Sequence, residues 1–186
     1  MTISLHSIVL SISVFGALIL CCSCKKEVRL TADAVVDRSA MAVLEAHDVT
    51  TLISDSGIVR YRIKTPVWQV FDKAQPAYWE FVEGVYLEQF NIDLSVEASL
   101  RADYAYYDQE AELWHLTGNV HALNRQGEQF DTPELFWDQR AERIYSDKSI
   151  TIRRAKSIIE GVGFSGQQDF TKYTILHPTG LIPIEE

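Results

Sequence analysis

The sequence predicts an all-β fold built from repeated antiparallel hairpins, and three observations carry that prediction. The stretch at residues 104–123, YAYYDQEAELWHLTGNVHAL, returns elsewhere in the chain: Tyr106-Tyr107-Asp108-Gln109-Glu110-Ala111-Glu112 is answered, 30 residues later, by Phe136-Trp137-Asp138-Gln139-Arg140-Ala141-Glu142. The pattern Trp79-x-Phe81-x-x-x-Val85-x-Leu87 matches Trp114-x-Leu116-x-x-x-Val120-x-Ala122 position for position. The aromatic-Asp step recurs at Val70-Phe71-Asp72-Lys73, and a looser copy runs from Phe164 to Ile175. Repeats of this length indicate stacked supersecondary units rather than a mixed α/β enzyme fold.

The amino terminus comes first in order. Residues 8–20, IVLSISVFGALIL, are an apolar segment of 13 residues with no charge before Lys25. That length suits a signal-peptide core better than a spanning helix, which needs about 20 apolar residues. No Lys or Arg precedes it, so only the terminal amine and His6 supply positive charge there. The run Leu20-Cys21-Cys22-Ser23-Cys24-Lys25-Lys26 resembles a bacterial lipoprotein signal, in which cleavage exposes an acylated cysteine. Ser23 supplies the small residue expected before the acceptor and favours Cys24; Leu20 disfavours Cys21, and Cys22 stays open. The rival reading is an uncleaved signal anchor with Lys25, Lys26 and Arg29 at its exit. Either version tethers the chain to a membrane, each buried methylene of an acyl chain contributing about 0.8 kcal/mol. The organisation read this way is a lipoprotein signal peptide over residues 1–23, an anchor and spacer over 24–50, a β domain over 51–178 and an exposed tail over 179–186. The spacer is expected to lead into a first edge strand, with a short helical turn over residues 40–46.

Within the domain, Ser54-Asp55-Ser56-Gly57 is a turn by composition. Residues 58–64, IVRYRIK, then alternate, with Val59, Tyr61 and Ile63 on one face and Arg60, Arg62 and Lys64 on the other. Those cations are read either as a solvated strand face or as a docking face for phosphate-bearing lipid or an acidic partner. Thr65-Pro66 and Thr132-Pro133 occupy equivalent places before an aromatic-Asp step, and proline, lacking an amide donor, is expected at strand starts or edges. Asp72, Asp108 and Asp138 open hairpin loops, where a carboxylate bonds the amides ahead of it, so they are read as turn formers rather than a catalytic set. Trp114, Leu116, Val120 and Ala122 share an apolar face with Gly118 between them, while His115, Thr117, Asn119 and His121 share the other. Ile144, Ile150 and Ile152 repeat the apolar face downstream. Strands with one apolar face pack across a sandwich interior, so a double sheet follows.

The remaining features exclude more than they assign. With 17 basic and 26 acidic residues the formal charge is -9, which disfavours nucleic acid as a partner. All three cysteines lie before Lys25, so the folded part carries neither a disulfide framework nor a thiolate metal site. His115 and His121, six strand positions apart, are separated by roughly 20 Å, too far to share an ion. His47 and His177 have no acidic companion that the sequence places beside them. No phosphate loop, serine elbow or zinc-ligand spacing appears, and no cofactor or catalytic residue is expected. The glycines of Gly161-Val162-Gly163-Phe164-Ser165-Gly166 fall inside alternating β sequence and mark a bulge.

Taken together, the apolar amino terminus, the Ser-Asp-Ser-Gly turn leading into Val59-Arg60-Tyr61-Arg62-Ile63, the aromatic-Asp hairpins and Leu116-Thr117-Gly118-Asn119-Val120 resemble the LptC family. That family is the membrane-anchored periplasmic component of lipopolysaccharide export. The Gly-Asn-Val step and Ile144-Tyr145-Ser146-Asp147 are shared with the related LptA and OstA proteins. The resemblance implies a twisted, open β-jellyroll that receives lipopolysaccharide from an inner-membrane ABC transporter. It then passes the lipid to an LptA-like bridge through edge-strand pairing. On this reading Trp79, Phe81, Val85, Leu87, Trp114, Leu116, Val120, Ile144, Ile150 and Ile152 line the lipid-binding interior. The alternative is a structural adaptor of the envelope that pairs through its strand edges and binds no lipid.

Overall fold

Eleven strands make up about two thirds of residues 40–180, the part of the chain that the structure, a computed structural model, describes. The signal, the lipidation position Cys24 and the last six residues lie outside the described residues. In order the strands are β1 (Leu44–Asp55), β2 (Ile58–Phe71), β3 (Tyr78–Phe81), β4 (Val85–Phe90), β5 (Val96–Ala102), β6 (Tyr104–Asp108), β7 (Leu113–Asn124), β8 (Gln129–Asp138), β9 (Arg143–Arg153), β10 (Ile158–Gln167) and β11 (Tyr173–Pro178). All pair antiparallel in one continuous sheet. The all-β prediction is what the structure shows.

The sheet is a meander of long strands, two of them broken in the middle. β3 and β4 lie end to end along one flank of β2, through Val70↔Trp79 and Ile63↔Leu87. β6 and β5 lie end to end along β7, through Ala105↔Leu116 and Leu100↔Ala122, with only Asp103 between them. β1 and β11 pair on one side only, so the sheet is open at both edges.

A line of irregularities crosses the middle of these strands and folds the sheet over itself. Pro66 has no amide hydrogen to give and stands opposite Asp48, whose φ is +51°, at the gap in the β1–β2 ladder. Gly84, with φ +91°, breaks β3 from β4. Gly118 and Asn119, both at positive φ, bulge from β7 opposite Pro133 of β8. Gly163, at φ +75°, stands alone on β10 opposite Asp147 and Lys148, a two-residue bulge of β9. Bulges and glycine kinks at matched positions bend a sheet sharply. The two Thr-Pro steps are indeed equivalent: Thr65 Oγ1 donates to the Val67 carbonyl at 2.8 Å, and Thr132 Oγ1 to that of Glu134 at 3.0 Å. They sit in mid-strand at the bend, however, rather than at strand starts, because a fold line is where a ladder hydrogen bond is given up anyway.

Contacts between strands that are not neighbours show the doubling. Tyr61 of β2 meets Trp137 of β8 edge to face at 5.3 Å, and Phe130 of β8 meets Tyr173 of β11 at 5.0 Å. Between the two layers lie Ile63, Phe81, Leu87, Leu100, Leu116, Leu135, Ile144, Ile150 and Ile152. Burying each such side chain contributes about 1.5–3 kcal/mol.

One boundary differs from the sequence reading. β1 begins at Leu44, inside the stretch read as spacer and helical turn, because an outer strand exposed along most of its length needs no alternation of apolar residues. At the other end β11 runs to Pro178, and the Thr179 and Gly180 amides donate to the Glu160 carbonyl. The glycines of β10 admit close backbone approach as expected: a Cβ on Gly161 would meet Ile175 Cγ2 at 2.4 Å.

Candidate functional site

Where the layers part, they leave a cavity of about 250 Å³. Ile53, Tyr61, Ile63 and Leu87 line it from the layer of β1, β2 and β4, and Trp79, Tyr107, Trp114 and Trp137 from the layer of β3, β6, β7 and β8. Glu112 and Gln139, from two equivalent hairpin turns, complete its lining. The aromatic wall is continuous: ring centroids are 4.9 Å apart for Trp79 and Tyr107, 4.8 Å for Tyr107 and Trp114, and 6.1 Å for Trp114 and Trp137. Cross-strand register builds it, since Trp79↔Tyr107, Tyr107↔Trp114 and Trp114↔Trp137 are paired positions on successive strands.

Burial raises the hydroxyl pKa of both Tyr61 and Tyr107, so both phenols are neutral at physiological pH. The Trp114 indole Nε1 is buried without a hydrogen-bond partner among the described residues, as is that of Trp68. An unpaired buried donor is uncommon and costs free energy unless something accepts from it.

The residues expected to line the interior divide into two groups. Trp79, Leu87 and Trp114 face the cavity, and Ile144 lies beside it along a narrow continuation shared with Leu87 and Trp137. Phe81, Val85, Leu116, Val120, Ile150 and Ile152 are packed into the closed core, none more than 4% exposed. Sequence reasoning missed Ile53, Tyr61, Ile63, Tyr107 and Trp137 as lining. A signal existed for most of them. Tyr61 and Ile63 fall on the apolar side of the IVRYRIK alternation, and Trp137 is the repeat counterpart of Tyr107. Ile53, on a strand without alternation, had none.

The polar residues singled out from the sequence are occupied structurally. Asp108 Oδ1 accepts from the amides of Glu110 at 2.9 Å and Ala111 at 2.8 Å, and Asp138 Oδ1 from that of Ala141 at 2.8 Å. Asp72 differs, accepting instead from the Gln109 side chain at 3.0 Å, because its loop is longer and runs on to Tyr78. Arg62 pairs with the nearly buried Glu88, and Lys64 lies 5.7 Å from the Tyr86 ring centre. The strand face of cations is thus engaged within the sheet at two of three positions.

His115 Nε2 is 2.6 Å from Glu134 and His121 Nδ1 is 2.6 Å from Asp131, each across to β8 and both half-buried. Burial, with Arg101 and Arg153 nearby, lowers the His121 pKa. His47 does have an acidic companion, Glu45, at 3.1 Å: residues two apart on a strand share a face. Among the described residues no group of three or more His, Cys, Asp or Glu is placed to hold a metal ion.

An aromatic chamber between open-edged sheet layers, with the nearby carboxylates committed to turns and ion pairs, can hold apolar matter and present strand edges. The family model described as lipopolysaccharide-assembly, LptC-related, matches residues 14–179, most of the chain. No curated protein matches it.

Proposed function

Because the chain belongs to the LptC-related family of lipopolysaccharide-assembly proteins and so has a role in lipopolysaccharide transport, we propose that it binds lipopolysaccharide acyl chains between its two sheet layers and hands the lipid onward. The family is a transport-associated, inner-membrane-anchored component of the periplasmic envelope. The observation that supports lipid binding most directly is the aromatic cavity bounded by Trp79, Tyr107, Trp114 and Trp137. It holds no charged residue except Glu112. A purely structural sheet would fill such a space, since protein interiors are close-packed.

In this reading lipid arrives from an inner-membrane ABC transporter and leaves to an LptA-like bridge protein. The free edges of β1 and β11 supply the backbone groups for pairing with neighbours. Among the described residues no helix is long and apolar enough to cross a membrane. The tether is assigned to the amino terminus, with acylation at Cys24 after removal of residues 1–23. Mass spectrometry of the mature amino terminus tests that tether.

A photocrosslinking residue at Trp114, inside the cavity, is expected to capture lipopolysaccharide in cells, whereas one at His115, on the opposite strand face, is not. Capture at His115 alone would overturn lipid binding between the layers, and capture at neither position would leave the adaptor that pairs through its edges and binds no lipid.

A further inference from the structure

The space at Trp114 does not end at the cavity. Leu87 and Trp137 also line a narrow seam with Leu100, Ile144 and Phe170, where only about 20 Å³ is open. Gln89 and Gln168, at the seam's far end, also line a cleft of about 750 Å³. The wall of that cleft is hydrophilic, with Glu97, Arg143, Lys172 and Thr174. An aromatic chamber, a constriction and a polar cleft therefore lie in line. A chamber of about 250 Å³ is below the roughly 300–1,000 Å³ usual for small-ligand sites. A multi-acyl lipid needs more room than the chamber alone provides.

One turn makes the constriction. Phe170 sits in the β10–β11 connection yet is only 3% exposed, and its ring lies 5.0 Å from that of Phe130. Its φ of +58° is in the left-handed region, strained for an aromatic residue. Polar contacts hold the turn: Asn124 Nδ2 donates to the Phe170 carbonyl at 3.0 Å, Trp137 Nε1 to Gln168 Oε1 at 3.1 Å, and the Gln168 amide to the Glu142 carbonyl at 3.1 Å. A strained loop residue seated in the core by a few hydrogen bonds can leave without dismantling a strand, because the β10–β11 ladder closes at Gly166↔Tyr173, before the turn.

We propose that the lipid path runs from the aromatic chamber through the seam to the polar cleft, and that Phe170 stands in this path as a plug displaced when an acyl chain extends through it. The apolar ring takes the place of an acyl segment against Phe130 and Ile144. The amide and charged side chains of the cleft suit the hydroxyl-rich sugar end of a glycolipid. This inference rests on the lipid-binding reading above.

The test is amide hydrogen exchange on the full chain with and without hexa-acylated lipid A, with bound lipid quantified in the same samples. The protected amides of Gln168, Phe170 and Thr171 are expected to exchange at least tenfold faster when lipid A is bound, while those of Ile150 and Ile152 stay unchanged. Bound lipid A with an unchanged turn overturns the plug and leaves lipid binding standing. Failure of both the native chain and Phe170→Ala to bind lipid A overturns the two together. Asn124→Ala, which keeps the ring and removes its tether, is expected to raise lipid A capture several-fold, and capture no greater than native counts against the plug.

Discussion

Asn119 Nδ2 donates to Asp103 Oδ2 over 2.7 Å, joining the bulge of β7 to the single residue that separates β5 from β6. The Asp103 amide returns a bond to the Gly118 carbonyl at 2.9 Å. The Gly-Asn step is therefore the clasp of the fold line: glycine supplies the backbone turn and asparagine the side chain that reaches back. Gly118 has φ +76°, and a Cβ there would lie 2.9 Å from the Asp103 Cβ. Gly118→Ala is expected to lose about 2–4 kcal/mol, of which the left-handed conformation accounts for about 1–2 and the clash for the rest. Urea denaturation measures it, and a native midpoint would remove the clasp from the account of the bend.

The turn aspartates lead to a different outcome. Asparagine forms the same side-chain-to-amide turn, so Asp108→Asn with Asp138→Asn is expected to cost under about 1 kcal/mol and to leave lipopolysaccharide transport intact. Changing both to alanine removes the acceptors and is expected to cost about 1 kcal/mol at each turn. Loss of transport in the asparagine pair, with the fold retained, would reopen a chemical role for these carboxylates.

What the sequence made legible, and what it did not, follows from where the physical information is local. The hairpin at Asp108 and its copy at Asp138 were readable because a turn is decided by a few adjacent residues. Burial of Trp114, Leu116, Val120 and Ala122 was readable because alternation reports a face. Lining was not, because alternation cannot separate a side chain that meets the opposite layer from one that meets a gap. Leu116 and Trp114 share a face, yet Leu116 is fully enclosed and Trp114 borders the cavity. That difference depends on how sharply Pro66, Gly118 and Pro133 bend the sheet, a property of paired strands rather than of any one. The start of β1 escaped the reading for the opposite reason: the strand is held by backbone pairing to β2, and its exposed side chains carry no period.

Acid sensitivity is expected from Glu88. The hydrogen bond from Arg62 is the main cause that holds its carboxyl below the usual range, with the Arg62 charge adding to it and burial opposing it. A carboxyl whose folded pKa is depressed contributes stability that is fully present above its unfolded pKa, about 4.3, and is lost as pH falls through the lower folded value. Glu88→Gln should therefore be less stable than the native chain near neutral pH and approach it on acidification below about 4.3. Denaturation midpoints followed from pH 7 to pH 3 check this. A constant difference across that window would mean that the ion pair contributes nothing to the pH dependence.

Lining and core residues of similar burial should part company when stability and lipid capture are measured on the same variants. Ile152 is wholly enclosed, and Trp114, though only 3% exposed, borders the cavity and leaves its indole donor without a partner among the described residues. Ile152→Val removes one methyl from close-packed surroundings and is expected to cost about 0.5–1.5 kcal/mol without changing lipid A capture. Trp114→Phe keeps an aromatic ring in the wall and removes the unpartnered N–H, so its stability should stay within about 1.5 kcal/mol of native. Its capture of lipid A should fall, because a buried donor that meets no acceptor among the described residues remains available to a carbonyl oxygen of a lipid ester or amide. Equal lipid A capture by native chain and Trp114→Phe would assign that indole to packing alone, and a fall in capture with Ile152→Val would place the lipid deeper in the core than the cavity reaches.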